Sequence, residues 1–478
     1  MRHLLVTLVL IFSAQLSFGQ DVEETFPKTL WCPDDIFLIK YKNDPVGDTF
    51  HVSRKDRNSP GINPELNDYV TFCYGKDSIR LRYHNNIPYA HIFYVNFESP
   101  KGKTTLRFHF NTLFSYFSND YGFKNRGNTQ FDIPEVYELA NIIWTLSATG
   151  QRAKDFNEES DYYKKVKAFF GSHTDHPIFK YLDFADSIAQ SKYYEFRENS
   201  FAFNFQDSRP GSSNCKLLFN GPYYYVYGNE LADSSLFGKL LPMVEDFAVK
   251  SDFRKFYKAN TMYYTALIDR QRVMMPVKKM WTWLEEQFPK TKYNSYRVVF
   301  SPLIRGSHST QNYLQDIATQ GVFREAVMFV CGPDRYDSKK ELKEKQKEGL
   351  MSGIVFTEID HNYVNPATNK YSKLVDSIFS KRNTWAKQGN GSDFYNNGMS
   401  VFNEYMTHAV FCLYILDSYD KTTADLVISY RETMMVDRRN FIKFREFNKE
   451  LVKIRKEHAG MKLAELYPFI LNWCKAQN

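Results

Sequence analysis

The spacing of apolar residues divides the chain into a first part with alternating positions and a second part with helical spacing. Apolar and polar residues alternate over Asp35–Tyr41, Ser78–Tyr83 and Thr104–Phe110, which predicts β-strands because successive side chains of a strand face opposite sides. Turn residues separate these runs, as is typical of an antiparallel sheet with one face in water. We therefore expect a β-rich N-terminal domain over residues 20–128.

The pattern changes at Asp132, which can cap a helix that has Pro134 in its first turn. Later segments repeat this helical spacing, and two short apolar runs predict strands. The predicted helices are 132–150, 158–170, a long region after Leu241, 277–288, a helix around 353 that Pro366 ends, 398–416, 421–430 and 440–454, and the predicted strands are 296–301 and 326–331. The sequence thus predicts an α+β protein whose second domain, residues 129–478, is mainly helical with a small sheet.

The first 19 residues are typical of a secretory signal peptide. A basic start precedes the apolar run Leu4–Ala14, and small residues follow before Gln20. A membrane anchor is the alternative, but the run is shorter than the ~20 residues that a spanning helix needs. We expect residues 1–19 to be removed and the mature chain to be exported, to the periplasm, the cell surface or the medium, without an integral membrane segment.

Composition adds little to the choice of function. The 478 residues carry a formal charge of +7 that is spread along the chain, so nothing in it calls for a nucleic-acid partner. Six cysteines occur without a C-x-x-C pair, which argues against a cysteine-rich zinc site. A disulfide between Cys32 and Cys73 is the favoured pairing, whereas Cys331 and Cys412 lie in apolar runs and are interpreted as buried thiols.

The strongest chemical signal lies in the predicted helix around residue 353. In the H-E-x-x-H pattern two histidines one turn apart hold zinc, and the glutamate between them activates water. Glu358 and His361 occupy two of these positions, but Thr357 occupies the position of the first histidine. At 3.6 residues per turn these side chains share one helix face with Asn365.

A second polar pair, Glu404 and His408, lies one turn apart in the apolar helix 398–416. A buried carboxylate without a partner costs several kcal/mol, so we expect a cation or hydrogen-bond donors beside Glu404. A metal ion or His361 would serve. Two further candidates are interpreted more conservatively: His308 as a surface-loop histidine rather than a cleft residue, and Asp437–Arg439 as a solvated cluster rather than a partner for an acidic group.

From Asp132 onward the chain resembles the family called domain of unknown function 4932, of exported bacterial proteins. The matching features are 134–140, 163–170 with His176-Pro177, 246–257, Ser301-Pro-Leu-Ile, the motif at 358–366 and Asn403-Glu-Tyr. The resemblance implies a gluzincin-type metallopeptidase domain, with a peptide or protein as substrate. Glu358 would be its catalytic base, and His361 and Glu404 would be zinc ligands.

Three hypotheses follow from the loss of a histidine at Thr357. In the first, His408 replaces it, so that His361, Glu404 and His408 hold zinc; the competing interpretation of His408 is a core histidine bonded to Glu404 or to a backbone carbonyl. In the second, no zinc binds and the scaffold is a non-catalytic periplasmic or surface binding protein. In the third, water or Thr357 completes a weak metal site that retains some hydrolysis.

Overall fold

The computed structural model describes residues 29–41, 44–45, 50–53, 69–82, 92–109, 113–114, 117, 119–153, 155–219, 223, 232–317, 321–389 and 391–477. The predicted signal peptide, residues 1–19, lies outside them. The chain forms two compact units that divide between Phe110 and Asn111, so residues 111–128 cluster with the second unit. Strands dominate the first unit and helices the second, which confirms the α+β class.

The N-terminal unit consists of two small sheets that share an aromatic core. Its strands are β1 (Thr29–Trp31), β2 (Ile36–Tyr41), β3 (Asp44–Pro45), β4 (Phe50–His51), β5 (Tyr69–Tyr74), β6 (Asp77–Arg82), β7 (Ile92–Ser99) and β8 (Gly102–His109). One sheet has the order β3-β2-β5-β6, with β4 also on β2, and the other has the order β1-β7-β8. The ring of Phe37 lies 4.4 Å from that of Phe97, and the ring of Phe72 lies 4.6 Å from that of Phe108. Alternation therefore places one face of each sheet on the shared core.

The cysteines of this unit are buried thiols. Cys73 lies in β5 opposite Ser78, whereas Cys32 follows β1 in the other sheet, and both are free. The predicted disulfide between them is therefore wrong. Burial raises the pKa of Cys32 to about 11. Cys331 and Cys412 are buried and free, as predicted.

The second unit surrounds a five-stranded sheet with helices. Its strands are β9 (Leu113–Phe114), β10 (Asn128–Asp132), β11 (Phe203–Phe205), β12 (Leu217–Phe219), β13 (Ser295–Ser301), β14 (Ser309–Ile317) and β15 (Gly321–Cys331). Its helices are α1 (Asn119–Asn125), α2 (Glu135–Leu146), α3 (Ala148–Arg152), α4 (Asp161–Phe170), α5 (Asp186–Asn199), α6 (Leu236–Lys239), α7 (Leu241–Lys250), α8 (Phe253–Ala259), α9 (Thr261–Met274), α10 (Val277–Gln287), α11 (Asp334–Asp337), α12 (Glu344–Asn369), α13 (Ser372–Phe379), α14 (Gly398–Ser418), α15 (Lys421–Thr433), α16 (Phe444–Glu457) and α17 (Tyr467–Lys475). No described helix is both long and apolar enough to cross a bilayer.

The central sheet has the order β10-β13-β15-β14-β9. Strands β10, β13 and β15 are parallel, and β14 runs antiparallel to β15. Residues 298–300 and 326–331 are buried without alternation, because helices cover both faces of the parallel part. The carboxyl ends of β10, β13 and β15 consequently meet at one edge of the sheet.

Helix α12 packs against α14 and α15 and runs further than the sequence indicated. The prediction that Pro366 ends it is wrong, because the helix continues to Asn369. The hydroxyls of Thr368 and Tyr467 donate to the carbonyl of Val364 at 3.0 and 3.1 Å and hold the last turn in place. The contact with Tyr467 comes from a distant segment and stabilises the helix around the proline.

Candidate functional site

Two neighbouring helices bring the predicted site residues together. Glu358 and His361 lie on α12, and Glu404 and His408 lie one turn apart on α14. Nε2 of His361 is 3.7 Å from Oε2 of Glu404, and Nε2 of His408 is 2.9 Å from Oε1 of the same carboxylate. The two histidines predicted as metal ligands thus lie beside the carboxylate of the third predicted ligand, Glu404.

A guanidinium group completes this centre. Nη1 of Arg439 lies 2.6 Å from Oε1 of Glu404 and 2.7 Å from Nε2 of His408, and Nη2 donates to the hydroxyl of Tyr395 at 2.8 Å. The Glu404 side chain is only 4% exposed, so the guanidinium rather than water neutralises its charge. The interpretation of Arg439 as a solvated charge is therefore wrong, and the alternative that it holds an acidic group is correct.

The backbone after α15 is shaped to deliver Arg439 to this position. Residues Met434–Arg438 form a π-helical turn, and Asn440 has a φ of 60°, in the left-handed region that asparagine tolerates. Isolated π turns occur frequently at functional sites, because the extra residue per turn redirects the side chains that follow. Apolar periodicity in the sequence does not reveal such a turn, so the sequence carries no signal for the direction of Arg439.

His408 has a protein partner on each ring nitrogen. Nη1 of Arg431 lies 2.9 Å from Nδ1, whereas Nε2 lies 2.9 Å from Oε1 of Glu404 and 2.7 Å from Nη1 of Arg439. Burial, together with Arg431 and Arg439, lowers the pKa of His408 to about 3 despite the opposing effect of Glu404. The imidazole is therefore neutral, and both nitrogens are engaged.

The guanidinium of Arg431 is buried against the backbone of a glycine in α12. Its Nη2 donates to the carbonyl of Gly353 at 2.8 Å, and its guanidinium lies 4.5 Å from the ring centroid of Phe411. A Cβ atom at position 353 would lie 2.0 Å from Nη2 of Arg431. The guanidinium thus occupies the space that any larger residue at 353 would need.

The remaining groups around Glu404 keep its carboxylate charged. Burial raises the pKa of Glu404, but Arg439, His408 and His361 more than reverse this effect and lower it well below its usual value. Oε2 of Glu404 faces His361 and has no hydrogen-bond partner among the described residues. Nδ1 of His361 lies 3.3 Å from the hydroxyl of Thr407, so its Nε2 is directed at Glu404.

Thr357 does not turn its hydroxyl toward this centre. Its Oγ1 donates to the carbonyls of Gly353 and Ile354 in its own helix, at 3.0 and 3.2 Å. This bonding to the preceding turn is common for threonine within helices. The hydroxyl is therefore occupied where the H-E-x-x-H pattern would supply a ligand.

Glu358, predicted as the catalytic base, is an acid with a raised pKa. Part of its side chain remains reachable by solvent, yet burial and the nearby carboxylates of Glu404 and Glu198 raise its pKa to about 8. Arg439 opposes this rise without reversing it. At neutral pH the carboxyl group holds its proton and cannot accept one from water.

Helix α5 carries a second buried ion pair, to which side chains of β14 are hydrogen-bonded. Glu198 accepts hydrogen bonds from Arg197 at 2.9 Å and from Gln311 of β14 at 2.8 Å, and the hydroxyl of Ser309 also donates to it. His308 lies in the loop directly before β14, as predicted, but its side chain is half-buried rather than fully exposed. Its Nε2 is buried without a hydrogen-bond partner among the described residues, and burial lowers its pKa to about 3.

Whether zinc fits this centre depends on which side-chain atoms are left to coordinate it. Catalytic zinc takes three protein ligands and keeps one position open for water. His361 Nε2 and Glu404 Oε2 are directed at each other, but His408 is engaged on both nitrogens and Arg439 stands beside the carboxylate. Among the described residues no group of three or more His, Cys, Asp or Glu side chains is placed to hold a metal ion. The side chains present therefore do not fit a three-ligand centre, and zinc itself remains a prediction.

Comparison of the chain with protein-family models, with curated proteins and with solved structures finds no match in any of the three. The resemblance drawn from the sequence motifs accordingly stays a prediction. The function has to be inferred from the geometry of the site.

Proposed function

We propose that this protein is a metallopeptidase-like binding protein with a degenerate zinc site, which holds a polypeptide segment in its cleft without cutting it. The observation that carries the proposal is the contact of 2.6 Å between Arg439 Nη1 and Glu404 Oε1. An internal cation already neutralises the carboxylate that the family resemblance assigns to zinc. The charge of Glu404 is therefore balanced without a metal ion.

A divalent ion would have to compete with Arg439 for the same carboxylate. At about 4 Å in a medium with an effective dielectric constant of about 20, a doubly charged ion and a guanidinium repel each other by about 8 kcal/mol. Structural zinc with a full ligand set gains about 10–16 kcal/mol on binding. With His408 engaged and Thr357 bonded to its own helix, the ligands left over offset little of that repulsion.

The protonation of Glu358, the residue predicted as the catalytic base, also supports binding without hydrolysis. A metallopeptidase needs an ionised glutamate to take a proton from water. Burial and the nearby carboxylates of Glu404 and Glu198 raise the pKa of Glu358 to about 8, which favours its protonated form near neutral pH. The helix face that would perform hydrolysis therefore presents a neutral acid.

We use the word cleft for the surface between α12 and the segment Ser309–Asn312 of β14, and we infer that an extended polypeptide binds there. Among the described residues β9 pairs with β14 only at Tyr313 and Leu314, beyond the segment Ser309–Asn312. Asn312 Nδ2 donates to Asn362 Oδ1 of α12 at 2.9 Å, which places this segment beside the helix face that bears His361. Extended peptides bind beside strands through backbone hydrogen bonds. The peptide or protein ligand implied by the family resemblance is thus retained as a binding partner.

Metal analysis and a casein assay on the chain without residues 1–19 test the proposal together. After equilibration with micromolar zinc we expect far less than one zinc per chain and no fragments from labelled, unfolded casein. Casein fluorescence anisotropy should rise on addition of the protein. His361→Ala, in the cleft, should weaken this binding, whereas the matched control His51→Ala in the N-terminal unit should not.

Two results would overturn the proposal. One zinc per chain that disappears with His361→Ala or Glu404→Ala, together with casein cleavage, would establish the zinc peptidase instead. Absence of casein binding would remove the binding function.

Two variants distinguish the effect of the missing histidine at position 357 from the effect of Arg439 on zinc binding. Thr357→His combined with Arg439→Ala should bind zinc, because it supplies the first motif histidine and frees Glu404. Thr357→His alone should bind it far more weakly. Equal affinity of the two variants would mean that Arg439 is not the obstacle.

A further inference from the structure

A separate groove lies at the carboxyl ends of the parallel strands β13 and β15. The loops that leave these strands, together with the start of α12 and the last turns of α15, line a groove of about 740 Å³. A neighbouring hollow of about 670 Å³ is continuous with it. The two share Asn157, Glu159, Asp334 and Ser338. Crevices beyond the carboxyl ends of parallel strands are the usual ligand sites in open sheets.

One end of the groove is basic. Arg305 follows β13, Arg335 follows β15, and Arg438 belongs to the π turn, and all three line this end. Within the described part of the chain neither Arg305 nor Arg438 has a carboxylate within 4 Å, since the adjacent Asp437 pairs with Arg445 at 2.9 Å. Two guanidinium groups are thus left without a carboxylate partner.

Two tyrosines lie beside the guanidinium groups of this end. The guanidinium of Arg335 lies 5.8 Å from the ring centroid of Tyr336, and that of Arg438 lies 5.8 Å from the ring centroid of Tyr430. Burial alone would raise the pKa of Tyr430, but its hydrogen bond with Tyr336 and the charges of Arg335 and Arg438 lower it. Lys339 and Glu341, which also line this end, cancel in charge.

The other end is acidic. Glu159 and Asp334, which the two hollows share, line it together with Asp161, which pairs with Lys164 at 3.2 Å. Lys165, which also lines it, donates to Asn260 Oδ1 at 2.6 Å. Burial raises the pKa of Asp334, and no cation contributes an opposing effect. The groove is therefore polarised along its length, from carboxylates at one end to guanidinium groups at the other.

From this separation of charge we propose that the groove binds short peptides with free termini. The peptide carboxylate lies toward Arg305 and Arg438, and the ammonium group lies toward Glu159 and Asp334. An extended tripeptide spans about 10 Å, and the groove volume lies within the ~300–1,000 Å³ of small-molecule sites. A ligand with one sign of charge meets repulsion at one end, so only a zwitterion satisfies both.

This site is independent of the proposed casein-binding cleft. Arg431 points from α15 toward His408, whereas its neighbour Tyr430 lines the groove. Successive residues of a helix point about 100° apart, so α15 separates the two sites. Either proposal can therefore fail without the other.

Ligand-observed NMR and calorimetry with a mixture of tripeptides test the proposal. Tripeptides with free termini should bind, and acetylation of the amine or amidation of the carboxylate should each weaken binding about tenfold, because each removes a charge-assisted contact. Arg438→Gln should abolish the effect of amidation, and Glu159→Gln should abolish the effect of acetylation. The exposed neighbours provide matched controls, Lys340→Gln and Glu158→Gln, which should leave both effects intact.

Several outcomes would overturn the zwitterion site. These are equal binding of free and blocked tripeptides, no binding of free tripeptides at millimolar concentration, or a control variant that behaves like its partner. Casein anisotropy should be unchanged in Arg438→Gln, which distinguishes this groove from the cleft at His361.

Discussion

Replacement of Arg439 by methionine tests the internal cation most directly. The guanidinium lies 2.6 Å from Oε1 of Glu404, and the Glu404 side chain is 4% exposed, so no water can take its place without rearrangement. Removal of one partner from a buried ion pair costs about 3–5 kcal/mol. The Arg439 side chain is 21% exposed, which allows some hydration of the gap. We therefore expect the lower end, a loss of about 3 kcal/mol in the free energy of unfolding.

Urea unfolding at pH 7, followed by tryptophan fluorescence, measures this loss. Arg438→Met is the matched control, because Arg438 is the exposed neighbour and surface substitutions stay within about 0.5 kcal/mol. Glu404→Gln in the Arg439→Met background should recover part of the stability, since a neutral amide costs less to leave buried than a carboxylate. The double-mutant cycle then isolates the coupling between Arg439 and Glu404.

A loss below about 1 kcal/mol in the free energy of unfolding of Arg439→Met would refute this reasoning, because removal of the partner of a buried carboxylate costs more than that. Equal losses in Arg439→Met and Arg438→Met would refute it as well. In either case Glu404 would have another source of neutralisation, and the argument against zinc would lose its basis.

Two further predictions concern α12. Gly353→Ala should destabilise the protein by about 3 kcal/mol, because the new Cβ would lie 2.0 Å from Nη2 of Arg431; Gly460→Ala, where no atom lies within 4 Å, should stay within about 0.5 kcal/mol by urea unfolding. The pKa of Glu358 is about 8 when folded against 4.5 for the ordinary group, so the folded state binds more protons between these values and stability falls as pH rises through this window. Melting temperatures of Glu358→Gln relative to wild type should accordingly increase from pH 5 to pH 9, and a constant difference would contradict the raised pKa.

Part of the site follows from helical spacing alone. His408 follows Glu404 by four positions and His361 follows Glu358 by three, so each pair shares a face once its segment is helical. The apolar surroundings of Glu404 also required a cationic or hydrogen-bonding partner. What spacing could not identify was that partner, since Arg439 is distant in sequence and lies in a cluster that looks solvated.

Other errors have the same origin in long-range contacts. Pro366 is locally typical of a helix end, but the hydroxyl of Tyr467, which is distant in sequence, stabilises the last turn of α12. His308 is a loop residue as predicted, but contacts with other segments bury its Nε2. Asp360 of α12 is fully buried, and burial raises its pKa well above its ordinary value.

The sequence by itself determined the α+β class, most helix positions and the two polar pairs that meet between α12 and α14. These follow from local periodicity and from the cost of burying charge, which act within a few turns of chain. Only the tertiary structure decided which cation meets Glu404 and how His408 is occupied. The π turn Met434–Arg438 places Arg439 beside Glu404, and the absence of a side chain at Gly353 leaves room for Arg431. Both placements depend on contacts between segments that no local pattern encodes.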